Sequence, residues 1–283
     1  MNETGGGTTP PSVAGATCVV TGGLGFIGSN LAHALVAAGA TVRILDALVP
    51  SHGGDRRNLW CGAGDQEPID ASVVIMSIGD PSVADAVSDA DVVFNLAGQV
   101  SHVASMADPQ HDLRVNAIDH ALLLETLRRV NPRARIVHAS TRQVYGRVEQ
   151  LPVSEAVAAH PVDVNGVAKL AGEQLHMVYS GAYGMAATSL RLSNVYGPRQ
   201  RLTSDELGFL PVFIRKALRG EQIDIFGDGT QRRDCLHVDD VVRCLLWATA
   251  DRAVGRVYNV GHTTDNSLAD IAAVIAGAAG NGA

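Results

Sequence analysis

Residues 17–28, TCVVTGGLGFIG, decide the fold. Thr17 to Thr21 is a β-branched run with the composition of a buried strand, and from Phe26 to Ala38 the apolar residues recur with helical spacing. Between them stand Gly22, Gly25 and Gly28. Glycines at this spacing allow a tight strand-to-helix turn, bring backbone N–H groups close to a pyrophosphate and let the helix pack against the strand. A second strand, Thr41 to Leu45, runs into Asp46, 18 residues after Gly28. An acid at that distance accepts hydrogen bonds from an adenosine ribose and repels a 2′-phosphate, so the turn reads as an NAD site rather than an NADP site.

Working outward, strand-like runs recur near Ser72–Met76, Asp91–Leu96 and Arg135–Ala139, mostly separated by helical stretches such as Pro109–Val130. Alternating strands and helices with buried strands imply an α/β fold, a Rossmann-type doubly wound parallel sheet whose ligand crevice lies beyond the carboxyl ends of its strands. Further on, Asp205–Gly220 reads as a helix, Ile223–Phe226 and Arg256–Val260 as strands, and Asn266–Ala276 as a helix capped by Ser267. Residues 1–14 read as a disordered leader, 15–191 as the dinucleotide-binding domain, and 192–283 as mainly a smaller substrate lobe interleaved with the last strands.

Composition narrows the function. The net charge of −7 gives nucleic-acid binding no electrostatic support. Cys18, Cys61, Cys235 and Cys244 lack metal-ligand spacing, so no metal site and no disulfide framework is expected. No apolar run approaches the roughly 20 residues of a membrane span, and the Gly/Thr/Pro-rich start lacks the order of a signal peptide; a cytoplasmic protein is expected. Of 22 basic residues only Lys169 and Lys216 are lysines, which draws notice to both.

Several segments together resemble the extended short-chain dehydrogenase/reductases, the family of nucleotide-sugar epimerases and dehydratases. They are TGGLGFIGSN at 21–30, Gly79-Asp80, NLAG at 95–98, STRQVYG at 140–146, LSNVYGP at 192–198 and GDGTQRRD at 227–234. The resemblance runs from about Thr17 to Gly261. It implies NAD held by Gly22, Gly25, Phe26, Ile27, Gly28 and Asp46, with Asp80 at the adenine amino group and Leu96, Ala97 and Gly98 passing over the nicotinamide ribose. It implies Ser105 on a loop above the sugar, Asn116 as a structural asparagine, and Asn194 and Arg233 at the diphosphate of a nucleotide-diphosphate sugar, with Arg201 a weaker candidate there. It further implies a homodimer formed through the Pro109–Val130 helix and the helix around Lys169. Family members usually continue beyond the point where this sequence stops, so the substrate lobe reads as shortened. Asp239, in HVDD, reads as a helix cap.

The family's chemistry uses a hydroxyl residue, a tyrosine and a lysine four residues after the tyrosine. Thr141 matches the hydroxyl and Lys169 the lysine, but the tyrosine position is Asn165. An asparagine amide donates and accepts hydrogen bonds yet is no base at neutral pH. Thr141, His160, His102 or a lysine-linked water are candidates to replace it; the alternatives are a base from the substrate or a site that binds without turnover. Thr141-Arg142-Gln143 lacks the two acids of the 4,6-dehydratase branch. NAD-dependent epimerisation by transient oxidation of a sugar carbinol is therefore the leading expectation. A nucleotide-sugar dehydrogenase, reductase or dehydratase, or a degenerate binding protein, are the alternatives.

Overall fold

The computed structural model describes residues 9–50, 52–60, 67–203 and 208–280. β1 (Thr17–Thr21) leads through the glycine turn into α1 (Phe26–Ala37) and β2 (Thr41–Asp46). β3 (Ala71–Ile75), α2 (Val83–Val87) and β4 (Val92–Asn95) follow, then α3 (His102–Ala107), α4 (Pro109–Leu113) and α5 (Asp119–Val130). β5 (Arg135–Thr141), the 20-residue α6 (Val164–Tyr183) and β6 (Ala186–Leu192) complete the larger part. The remainder contains β7 (Asn194–Tyr196), α7 (Phe209–Leu218), β8 (Arg232–Arg233), β9 (Cys235–His237), α8 (Val238–Trp247), β10 (Val257–Val260), β11 (Asn266–Ser267) and α9 (Leu268–Ala278).

Seven strands form one parallel sheet in the order β10-β6-β5-β4-β1-β2-β3. Both faces are covered, because alternate residues of each strand point to opposite sides. Val20 and Phe94 pack with Leu31, Leu35, Val241 and Leu245 of α1 and α8, whereas Val19, Val93 and Ile136 pack with Leu123, Leu124 and Leu127 of α5. The chain reverses direction across the sheet at β1 and β4, the point where an open α/β sheet opens a crevice. β10 joins the sheet beside β6 although it comes from the C-terminal part, and β7 with β9 and β8 with β11 make two small ribbons outside it.

The elements depart from the sequence reading in five places. Ile223–Phe226 forms no strand: Phe226 is 92% exposed, Gly227 and Gly229 turn the chain at φ 88° and 78°, and the ribbon uses Arg232–Arg233 instead. β6 was not anticipated, because its buried Thr188, Ser189 and Arg191 hide its apolar pattern. The expected helix over Pro109–Val130 is interrupted by a π-helical turn at Arg114–Ile118. Asp239 does not cap α8: the ring of His237 accepts from the Asp239 N–H, and Asp239 sits in the first turn. Val13, assigned to the leader, is buried in the core; residues 1–8 of that leader lie outside the described residues, as do Cys61 and Asp205. The cap at Ser267 is present, its hydroxyl accepting from Asp270 N–H at 3.0 Å, and among the described residues no helix is long and apolar enough to cross a membrane.

Candidate active site

The crevice is built at the carboxyl ends of β1, β2, β4 and β5. Gly22 adopts φ +65°, and a Cβ there would lie 3.0 Å from the Ala97 backbone, so only glycine lets the two loops touch. A Cβ on Gly28 would lie 2.3 Å from the Gly22 carbonyl oxygen, which brings α1 hard against the turn. Gly25 stands at the N-cap of α1 and brings no side chain to its orphan N–H groups, so that end, with Phe26 and Ile27 in its first turn, is open to an anion. At the end of β2, Asp46 accepts from Leu24 N–H at 3.0 Å through one oxygen and from Leu48 N–H at 2.8 Å through the other. Each carboxylate oxygen retains a further lone pair for a ribose hydroxyl. This cradle fits a dinucleotide.

Asp80 is exposed, and its carboxylate accepts from the Ser82 N–H and hydroxyl, which hold it below the usual carboxylate range. The loop after β4 is tied from beneath. Thr21 donates to Asn95 Oδ1 at 2.8 Å while its hydroxyl oxygen accepts from Leu96 and Ala97 N–H. The Lys169 ammonium rests directly on this loop: a Cβ on Gly98 would lie 2.4 Å from Lys169 Nζ and 2.7 Å from Asn116 Oδ1. Burial pushes the lysine down from its usual value to about 8, with the Asp112 carboxylate opposing the shift.

Asn165 and Lys169 lie one turn apart on the buried face of α6. The Asn165 amide donates to Gln99 O and to Asp112 Oδ2, both at 3.0 Å. Asn116 donates to Gln99 O and to Asp112 Oδ1 at 3.1 Å and accepts from Gln99 N–H, so the two asparagines clamp one buried carboxylate and one loop carbonyl. Asn116 sits within the π-helical turn, which adds a residue to the helix and re-aims that side chain. Asp112, Gln99 and the turn went unread in the sequence.

At the end of β5, the Thr141 hydroxyl oxygen accepts from Gln143 N–H at 3.2 Å. Gln143 Nε2 donates to His102 Nε2 at 2.5 Å, and the other nitrogen of that ring meets Asp163, the N-cap of α6. Ser105 is placed in α3 rather than on a loop; it is fully buried and donates to His102 O at 2.8 Å, while Ser101 caps that helix. His160 is exposed and lies near the site through its backbone carbonyl, against Gly146. Tyr145 is no substitute for a tyrosine at 165: its hydroxyl donates to Asn259 Oδ1 at 2.7 Å and accepts from Arg191 at 2.6 Å.

Beyond β5, Arg142 donates to Asn194 Oδ1 at 3.2 Å, and Asn194 Nδ2 donates to Asp234 O at 3.0 Å. Crowding by protein, then the like charge of Arg233, lowers the Arg142 guanidinium from its usual value, with Asp234 opposing. Arg233 itself donates to Arg232 O at 2.8 Å. Two guanidinium groups brought together beside an asparagine suit an anion with several oxygens. Arg201 turns elsewhere, to Thr203 and Pro50 O.

Beneath the loop lie three fully buried histidines, His120, His138 and His176, whose ring nitrogens come within 4.8 Å of one another. Asn95 Nδ2 donates to His120 Nδ1 and His176 Nε2, which assigns both rings as neutral acceptors on those atoms. His138 and His176 stack at 4.2 Å with an interplanar angle of 15°. Their in-plane lone pairs therefore run side by side rather than converging on one ion, so the trio reads as a structural network.

Residues 18–261 match the model of the NAD dependent epimerase/dehydratase family. The chain is 34% identical over 265 residues to the UDP-glucose 4-epimerase of Mycolicibacterium smegmatis, covering 93% of this chain and 82% of that one. An epimerase structure from Methanothermobacter thermautotrophicus superposes with a TM-score of 0.87 at 30% identity, covering 95% and 78% of the two chains. The Thermotoga maritima UDP-glucose 4-epimerase, solved with UDP-glucose, gives 0.84 at 32%, covering 94% and 83%. The glycine turn, the lysine on its loop and these likenesses along almost the whole length agree: the chain belongs to the NAD dependent epimerase/dehydratase family.

Proposed function

We propose that this chain is a nucleotide-sugar epimerase that oxidises a sugar carbinol transiently and restores it with inverted configuration, with Asn165 standing where the family's catalytic tyrosine stands. The observation that carries the proposal is the placement of Lys169 and Asn165 against the Gly98–Gln99 loop, one turn apart on α6. Thr141-Arg142-Gln143 supports epimerisation over 4,6-dehydration, since it offers no acid to drive elimination of water. NAD is to be held by Gly22, Gly25, Phe26, Ile27, Gly28, Asp46, Leu96, Ala97, Gly98 and Lys169, with Asp80 at the adenine. When bound, it supplies the acceptor and donor of the sugar's hydride. Lys169 orients the nicotinamide ribose and keeps a positive charge beside the reacting centre. Thr141 hydrogen-bonds the sugar hydroxyl. Arg142, Arg233 and Asn194 take the diphosphate, and Ser105, buried within α3, acts only by holding that helix through His102 O. UDP is the nucleotide favoured by the relatives' substrates.

The same reading proposes a homodimer through α5 and α6, supported by exposed Leu122 on α5, Val167 and Val178 on α6, and Ile118 at the end of the π-helical turn before α5. Light scattering coupled to gel filtration tests it: a mass near 59 kDa, twice the 29.5 kDa chain, is expected. Proton NMR in D₂O with NAD and a panel of nucleotide sugars tests the activity. New sugar resonances with one inverted coupling pattern are expected. An unchanged panel with demonstrable NAD binding would leave a binding protein.

A further inference from the structure

The first turn of α6 does more than begin a helix. Asp163 accepts from Gly166 N–H at 2.7 Å through Oδ1, as an N-cap, and this fixes its carboxylate. Its Oδ2 is thereby aimed at His102 Nδ1, across 61 residues of sequence. A carboxylate at Nδ1 places the proton on that nitrogen and leaves a lone pair on Nε2. The environment of Nε2 agrees, because Gln143 Nε2 points a donor at it from 2.5 Å. Gln143 is also the residue whose backbone N–H meets Thr141, so one residue links the bare ring nitrogen to the hydroxyl residue of the site. The His102 side chain is half exposed, open to an incoming ligand.

The rival groups are committed elsewhere. Tyr145 is held by Arg191 and Asn259, His120, His138 and His176 are sealed under the loop, and Lys169 is held against Gly98. Asn165 has both amide protons occupied.

We propose that His102, oriented by Asp163, is the general base of this chain, taking over the proton transfer that Asn165 cannot perform; the proposal rests on the epimerase reading above. The sugar hydroxyl enters in place of the Gln143 amide and donates to His102 Nε2. As the carbinol C–H hydrogen leaves with its electron pair to NAD, the O–H proton passes to Nε2 and the carbon–oxygen double bond forms. The imidazolium is stabilised by Asp163. On the return, the hydride comes back to the opposite face of the carbon and His102 gives the proton back to oxygen, so nothing is consumed.

The test joins a tautomer measurement to turnover. In ¹⁵N-histidine-labelled protein with UDP and NAD present, the resonances lost in His102→Gln should report a protonated Nδ1 and a bare Nε2. The reverse tautomer would overturn the assignment whatever the activity. With a sugar that wild type converts, His102→Gln should lose about 10²- to 10⁴-fold in kcat, the range of a lost general base. UDP and NAD affinities, by calorimetry, should stay within about threefold, a factor worth only about 0.7 kcal/mol. Asp163→Asn, which keeps a capping oxygen, should lose at least about tenfold through the misoriented ring. Imidazole in the buffer should restore part of the turnover of His102→Ala. If His102→Gln turns over within threefold of wild type, the base assignment falls while the epimerase reading stands. If wild type converts no sugar in the panel, the epimerase reading itself falls and takes the proposal with it.

Discussion

Asn165 and Asp112 meet at 3.0 Å through the amide Nδ2 and the carboxylate Oδ2, and both are buried. Asn165 is thus built into the wall of the site, where it satisfies a carboxylate that would otherwise face a low-dielectric interior with one donor fewer.

A tyrosine placed at position 165 should therefore harm the protein. Asn165→Tyr inserts a ring into a filled position and removes a donor from Asp112. Turnover is expected to fall, and unfolding stability to drop by about 1–3 kcal/mol, the usual cost of overpacking. Urea denaturation and the NMR turnover assay check both; a large gain in turnover would show a degenerate site instead.

The depressed Lys169 gives NAD binding an alkaline limit. Its charge is present at neutral pH and is lost as pH rises through about 8, whereas an ordinary lysine keeps its charge to about 10.5. NAD affinity should weaken above pH 8 in the wild type. Lys169→Met should bind NAD at least about tenfold more weakly, a loss of about 1.4 kcal/mol, and should flatten that limb. Calorimetric titration across pH 7–9.5 gives the answer.

Gly98→Ala should reproduce part of the lysine's loss without touching the lysine. The added methyl would stand 2.4 Å from Lys169 Nζ, so the ammonium must retreat from the loop. Weaker NAD binding is expected, with the far-UV circular dichroism of the fold preserved. Unaltered affinity would mean that the lysine finds an equivalent position.

Acid should weaken the fold through the buried histidines. Burial is the largest cause lowering all three: His176 to about 4, and His120 and His138 well below the usual value. They remain neutral when folded but take up protons in the unfolded chain below about 6.5. Their contribution is complete above that pH and is lost as pH falls towards about 4. Each adds a slope of up to about 1.4 kcal/mol per pH unit in that window. Denaturant titrations from pH 7 to 4.5 should show this, with a shallower slope in His138→Phe.

Arg142 offers a test of the diphosphate subsite. Arg142→Ala should weaken UDP binding by about tenfold, about 1.4 kcal/mol, and reduce its salt dependence. Equal binding would assign the subsite to Arg233 and Asn194 alone.

The sequence by itself determined the doubly wound sheet, the glycine turn, Asp46 and Lys169. These depend on short-range rules: residue spacing along one turn or helix, β-branched runs, and the backbone freedom of glycine. It also exposed Asn165, because a position four residues before a lysine on one helix needs no tertiary information. Only the tertiary structure decided what surrounds that asparagine. Asp112 and Gln99 reach it from 53 and 66 residues away, and Asp163 reaches His102 across 61. The strand β6 was hidden for a related reason: Arg191 is buried in it by pairing with Glu173 at 2.6 Å, a contact from α6 that no local pattern reveals. Side-chain pairing between distant segments is fixed by how helices pack on the sheet, and that packing exists only once the chain has folded.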